Sequence, residues 1–67
     1  MLIYIATHDG KLNSVGWKNL IDARNFVLWQ VAGRTLTDDI PMKISYLDEQ
    51  GREHDWLIYE VEVKDEG

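Results

Sequence analysis

No cysteine occurs among the 67 residues. Disulfide staples, thiolate metal sites and cysteine nucleophiles are therefore excluded. Long apolar runs are also missing. The opening LIYIA meets His8-Asp9-Gly10 at once, too soon for a signal peptide or a membrane span, so a cytoplasmic location is expected. Glycine is sparse and scattered. Gly16 and Gly33 stand alone, which leaves no phosphate-cradling loop. Neither Ser14 nor Ser45 sits in a nucleophile-elbow context. Positive charge is the last scarcity: seven Lys and Arg oppose twelve Asp and Glu, a net of −5. Lys11, Lys18, Arg24 and Arg34 accompany Trp17 and Trp29, but four cations on an acidic chain make a poor footprint for nucleic acid. Neither direct nucleic-acid binding nor membrane association is expected.

What is present points to one folded domain spanning residues 1–67. Hydrophobic residues make up 45% of the chain, which favours a packed core over disorder. A chain this short buries only about 60% of the surface its unfolded form exposes, so its stability is marginal on area alone. The charge is uneven. Residues 1–33 carry Lys11, Lys18 and Arg24 against Asp9 and Asp22, a net of +1, whereas residues 34–67 carry ten acids against four cations, a net of −6. Such asymmetry suits a basic partner.

Residues 2–7 read as a strand, and the Asp9-Gly10 pair as a tight hairpin turn. Residues 12–17 return as a weak second strand, diluted by Asn13, Ser14 and Gly16. Asn19 is placed to cap a helix over residues 20–32, with Asp22 in its first turn and Gly33 closing it. RTLTDDIP then reads as a connecting loop with room for one short turn at 37–40. Residues 42–48 alternate, with Met42, Ile44 and Tyr46 on one side. A turn at 48–51 uses Gly51 for its positive φ. Residues 54–64 form a long strand. The expected fold is α+β: an antiparallel sheet of three or four strands with one helix on one face, in the order β-(β)-α-β-β.

The helix is apolar almost all round. At 100° per residue, Leu20, Ile21, Val27, Leu28 and Val31 share a sector with Ala23 at its margin, while Phe26 and Trp29 fall on the far side. Arg24 lies inside the apolar sector. Either its stem runs along the core to a carboxylate at the edge, or the buried sector is rotated toward Ala23 and Phe26. In the last strand, Leu57, Tyr59, Val61 and Val63 are expected to face the helix. Trp56, Ile58, Glu60 and Glu62 then point outward beside Leu47, an apolar anchor next to a negative rim. Those four residues, with Phe26 and Trp29, are the candidate partner-binding set.

Two His-Asp pairs, His8-Asp9 and His54-Asp55, meet if the first strand runs antiparallel beside the last, and such a group has the donors for a divalent transition metal. The simpler reading, a turn and a solvated strand start, is preferred, and no metal, cofactor or catalytic residue is expected. The functional expectation is a small, acidic, non-enzymatic protein-binding module: an inhibitor, adaptor or accessory factor of the sort phages encode. Two alternatives are an acidic mimic of nucleic acid and a self-associating structural protein.

Overall fold

The computed structural model describes residues 1–64, Val15 through its backbone alone. The elements in chain order are β1 (Leu2–His8), β2 (Lys11–Trp17), α1 (Leu20–Gln30), β3 (Thr35–Ile40), β4 (Lys43–Leu47) and β5 (Glu53–Glu62). They build one antiparallel sheet in the order β2-β1-β5-β4-β3, with α1 across one face. The α+β class and the single helix match the expectation. The weak second strand forms and makes the allowed fourth, but the count of five exceeds the expectation because the supposed loop at 35–40 is a strand as well. In that segment, TLTDDI, the Asp38-Asp39 pair opposes the β-propensity of Thr35, Thr37 and Ile40, and the strand is held by pairing with β4 at the sheet edge. Its acidic residues suit an edge strand, where charge discourages pairing with further chains.

Local chemistry accounts for both hairpin turns. Asp9 and Gly10 both adopt positive φ, 50° and 85°, as a two-residue turn matched to strand twist requires. Between β4 and β5, Asp48 organises the reversal. Its Oδ1 accepts the amide N–H groups of Gln50 (2.8 Å) and Arg52 (2.9 Å), while its own N–H donates to the Arg52 carbonyl (2.9 Å). Arg52 is thereby drawn into the turn, and Leu47 pairs with Glu53. Gly51 completes it at φ 79°.

The extra turn residue has a large consequence. A four-residue connection pairing Leu47 with Arg52 would set Leu57, Tyr59 and Val61 on the same face as Ile44. The observed register pairs Ile44 with Trp56 instead, and a one-residue slip turns every side chain of a strand to the other face. The expected orientation of β5 is therefore inverted. Trp56 (4% exposed) and Ile58 (3% exposed) are core residues with Ala6, Ala23, Val27, Val31 and Ile44, and neither is free to bind a partner. Glu60 and Glu62 continue along that same face into water.

The helix starts as expected, with Asn19 extended at φ −122°, but the Asn19 side chain makes no backbone cap and instead donates to Asp22 Oδ2 (3.3 Å). It ends at Gln30, two residues before the expected Ala32, because the Ala32 N–H bonds back to Trp29 rather than to Leu28. Its buried face is rotated toward Ala23, as the position of Arg24 had allowed. Ile21 is exposed, and Arg24 reaches over the edge to Asp39 Oδ1 (2.6 Å) and the Ile40 carbonyl (2.6 Å). Phe26 is half-buried, stacked at a tilt on Trp17 (4.8 Å between centroids) and edge-on to Trp56 (5.9 Å). Of the helix aromatics only Trp29 is exposed, at 78%.

Three stability outcomes follow. Trp56→Ala should cost about 3–5 kcal/mol in urea unfolding, whereas Trp29→Gln should stay within about 0.5 kcal/mol of the parent. Gly51→Val should cost about 1 kcal/mol or more. Nothing lies within 4 Å of a Cβ at Gly51, so that cost is conformational rather than steric.

Candidate functional site

Two features outside the core concentrate chemistry: the sheet face opposite the helix, and a histidine–carboxylate cluster at one end of the sheet. Cross-strand pairing aligns Ile3 with Val61, Ile5 with Tyr59 and Thr7 with Leu57. None of these belongs to the core under the helix. They form an apolar strip over the neighbouring strands β1 and β5, extended by the exposed Leu12 of β2, and no described residue covers it. Tyr59 is 46% exposed at its centre. Toward β3 the same face turns polar. Lys43 lies 3.7 Å from Asp38, Ser45 donates to Asp55 (2.7 Å), and Glu53 accepts from Thr37 (2.8 Å).

Among the sequence-predicted binding residues, Trp56 and Ile58 are thus enclosed and Phe26 is packed at the margin of the core. Glu60 is exposed and accepts from the Tyr4 hydroxyl (3.0 Å), which raises the Tyr4 pKa, chiefly by that bond. Glu62 and Trp29 are exposed. An apolar anchor beside acids does exist on β5, but its residues are Leu57, Tyr59 and Val61. Sequence alternation had identified both sets and had assigned them to the wrong faces.

The cluster forms because β1 and β5 are antiparallel neighbours, so the end of one meets the start of the other. His54 Nδ1 lies 2.6 Å from Asp9 Oδ2, and its Nε2 lies 2.7 Å from Asp48 Oδ2. With a carboxylate on each nitrogen, the ring is held as an imidazolium donating in both directions. Its pKa is raised, first by the bond to Asp9 and then by that to Asp48. Asp48 is lowered to about 2, by His54 foremost and then by the Arg52 amide. Asp9 is lowered by His54 and by the Asp55 amide, which donates to its Oδ1 at 2.9 Å.

His8 completes the group. Its ring stacks on Trp56 (4.6 Å between centroids), and its Nε2 is 2.8 Å from the Tyr46 hydroxyl. Burial foremost, then the charge of Asp9, pushes the Tyr46 phenol up, so the hydroxyl keeps its proton beside His8 Nε2. The expected solvated turn and strand start are therefore a connected polar network. The side chain of Asp55 is not in it, since it accepts from Ser45; Asp55 joins through its backbone, donating its N–H to Asp9 Oδ1 and accepting the Asp9 N–H (2.8 Å) on its carbonyl. Asp48 takes that place, a residue read in sequence as a turn former alone. One donor atom each from His8, Asp9 and His54 lies within 4.8 Å of the others, close enough to hold a metal ion after small side-chain shifts.

No protein-family model matches this chain, and no curated protein and no solved structure matches it either.

The charged network implies a definite pH response when a chelator keeps metal away. The stability supplied by His54 is full below its unfolded value, about 6.5, and is lost as pH rises through the raised folded value. The contribution of Asp9 and Asp48 is full above the unfolded carboxylate value, about 3.9, and is lost as pH falls through their lowered folded values. His8, Tyr46 and Arg34 are the other titratable or charged groups that face them. The urea midpoint should therefore be highest between about pH 4 and 6.5 and fall on both sides. Asp48→Asn should make both limbs shallower. A wild-type profile that stays flat to pH 9, with no change in Asp48→Asn, would refute the charged pairing.

Proposed function

We propose that this protein is a small, non-enzymatic binding module that docks another protein against the sheet face opposite its helix. The observation that carries this reading is the row of Ile3, Ile5, Leu57, Tyr59 and Val61, half-buried but for the exposed Tyr59, on the face where the helix does not pack. An antiparallel sheet tolerates one face in water, but that face is ordinarily polar. Here the apolar half lies over β1 and β5, at the centre of the domain.

The preferred occupant is a partner with an apolar pocket and a basic surround. Among the described residues, 34–64 hold eight acids against four cations, a net of −4, and they build β3, β4 and β5, three adjacent strands. The uneven charge of the sequence thus becomes an acidic side of the sheet, where Asp38, Glu53 and Asp55 flank the apolar strip. Burial of Tyr59 supplies affinity, and the acids supply steering and register. A role as inhibitor or adaptor fits this manner of work. Mimicry of nucleic acid has less support, because several carboxylates are already engaged within the chain: Asp39 by Arg24, and Asp9 and Asp48 by His54. No described helix is long and apolar enough to cross a membrane.

The test compares three forms of the purified chain: the parent, Tyr59→Ser on the sheet face and Trp29→Gln on the helix. A protein captured by the parent and by Trp29→Gln should bind Tyr59→Ser at least about tenfold more weakly in calorimetry, as expected for loss of a central aromatic contact. Equal binding by Tyr59→Ser, or loss confined to Trp29→Gln, would move the interface elsewhere and defeat this reading. A dimer in sedimentation that Tyr59→Ser dissolves would replace the foreign partner with a second copy.

A further inference from the structure

We propose that His8, Asp9 and His54 form a binding site for one divalent transition-metal ion of the zinc, cobalt or nickel class. Imidazole nitrogens and a carboxylate oxygen are the donors such ions favour. His8 Nε2 lies 3.7 Å and His54 Nδ1 2.6 Å from Asp9 Oδ2. Donors at about 2.0–2.2 Å from a tetrahedral ion stand about 3.3 Å apart. Shifts of about an ångström, chiefly in the exposed Asp9 beside the half-buried histidines, convert one arrangement into the other.

The surroundings of the three donors carry the inference further than their proximity. Ligating histidines almost always donate their second N–H to a carboxylate or carbonyl, which fixes the ring and its tautomer. Asp48 does this for His54: its Oδ2 takes the Nε2 proton, leaving Nδ1 for the metal. The Asp55 amide occupies Asp9 Oδ1 and leaves Oδ2 pointing inward. His8 is oriented by stacking on Trp56, with its Nε2 directed into the cluster, 2.8 Å from the Tyr46 hydroxyl. Each donor is thus aimed by a neighbour that does not itself ligate. Metal binding replaces two hydrogen bonds: the proton shared by His54 Nδ1 and Asp9 Oδ2 leaves to solvent, the contact between His8 Nε2 and the Tyr46 hydroxyl opens, and His8 in its Nδ1–H tautomer coordinates the ion with the other two atoms. Three protein ligands leave a position for water or for a donor from a partner.

The ion would tie the end of β1, the start of β5 and the turn that Asp48 organises, so it should stabilise the fold in proportion to its concentration. The test uses the tag-free chain with zinc chloride, and magnesium chloride as the hard-cation control. One zinc per chain and a raised melting temperature are expected, with no response to magnesium. Asp9→Asn and His54→Gln should each weaken zinc binding at least about tenfold, and Asp48→Asn about 10- to 100-fold. Asn suits position 9 because it tolerates the positive φ there and can still accept the Asp55 amide.

Because a variant can fail for lack of folding, the wild-type chain supplies the second measurement. Zinc should shift the ring nitrogen resonances of His8 Nε2 and His54 Nδ1 in ¹⁵N NMR. Absence of saturable binding at millimolar zinc would overturn the site. So would zinc that leaves both ring nitrogens unmoved, or affinity unchanged in folded Asp9→Asn and His54→Gln.

Discussion

The carboxylate of Asp48 binds the amides of Gln50 and Arg52 through one oxygen and His54 through the other. Its first two bonds include Arg52 in the turn and thereby set how β4 pairs with β5. That register turns Trp56 and Ile58 toward the helix and leaves Leu57, Tyr59 and Val61 outside. Its third bond orients His54 within the cluster at the sheet end. One short side chain thus links the choice of core to the arrangement of the histidine–carboxylate cluster.

Size then decides what the core can cover. The helix has eleven residues and β5 has ten, about 16 Å of helix against about 34 Å of strand. The helix therefore covers the middle of one face, where Ala6 and Ala23 bring the layers close and the Trp56 ring fills the space between them. Glu60 and Glu62 extend past it at one end. The His8, Asp9 and His54 cluster lies past it at the other. The second face has no covering layer among the described residues, and its apolar centre is the natural place for a contact that the chain does not make with itself.

Both functional proposals share this geometry but rest on separate residues. The docking face depends on the outward side chains of β1 and β5, whereas the metal site depends on strand ends and turns. Tyr59 and His54 belong to opposite faces of the same strand, so a change at one leaves the other in place. An ion at the cluster would stiffen the β4–β5 turn and with it the register that exposes Tyr59.

The sequence by itself determined the features that neighbouring residues settle between them. The Asp9-Gly10 hairpin, the helix start at Leu20, the positive φ of Gly51 and the two-residue alternation of β4 and β5 were all legible, because each is decided within a few residues of chain. The condition for the histidine cluster was legible too: antiparallel neighbours bring His8 and His54 together. That β1 would lie beside β5 was not, nor was β3, whose residues become a strand only through pairing with β4. Only the tertiary structure decided which face of β5 would be buried. Alternation marks two sets of side chains, and it is blind to which set faces inward. That choice turned on whether Arg52 belonged to the turn or to the strand, which the hydrogen bonds of Asp48 resolve in the folded chain.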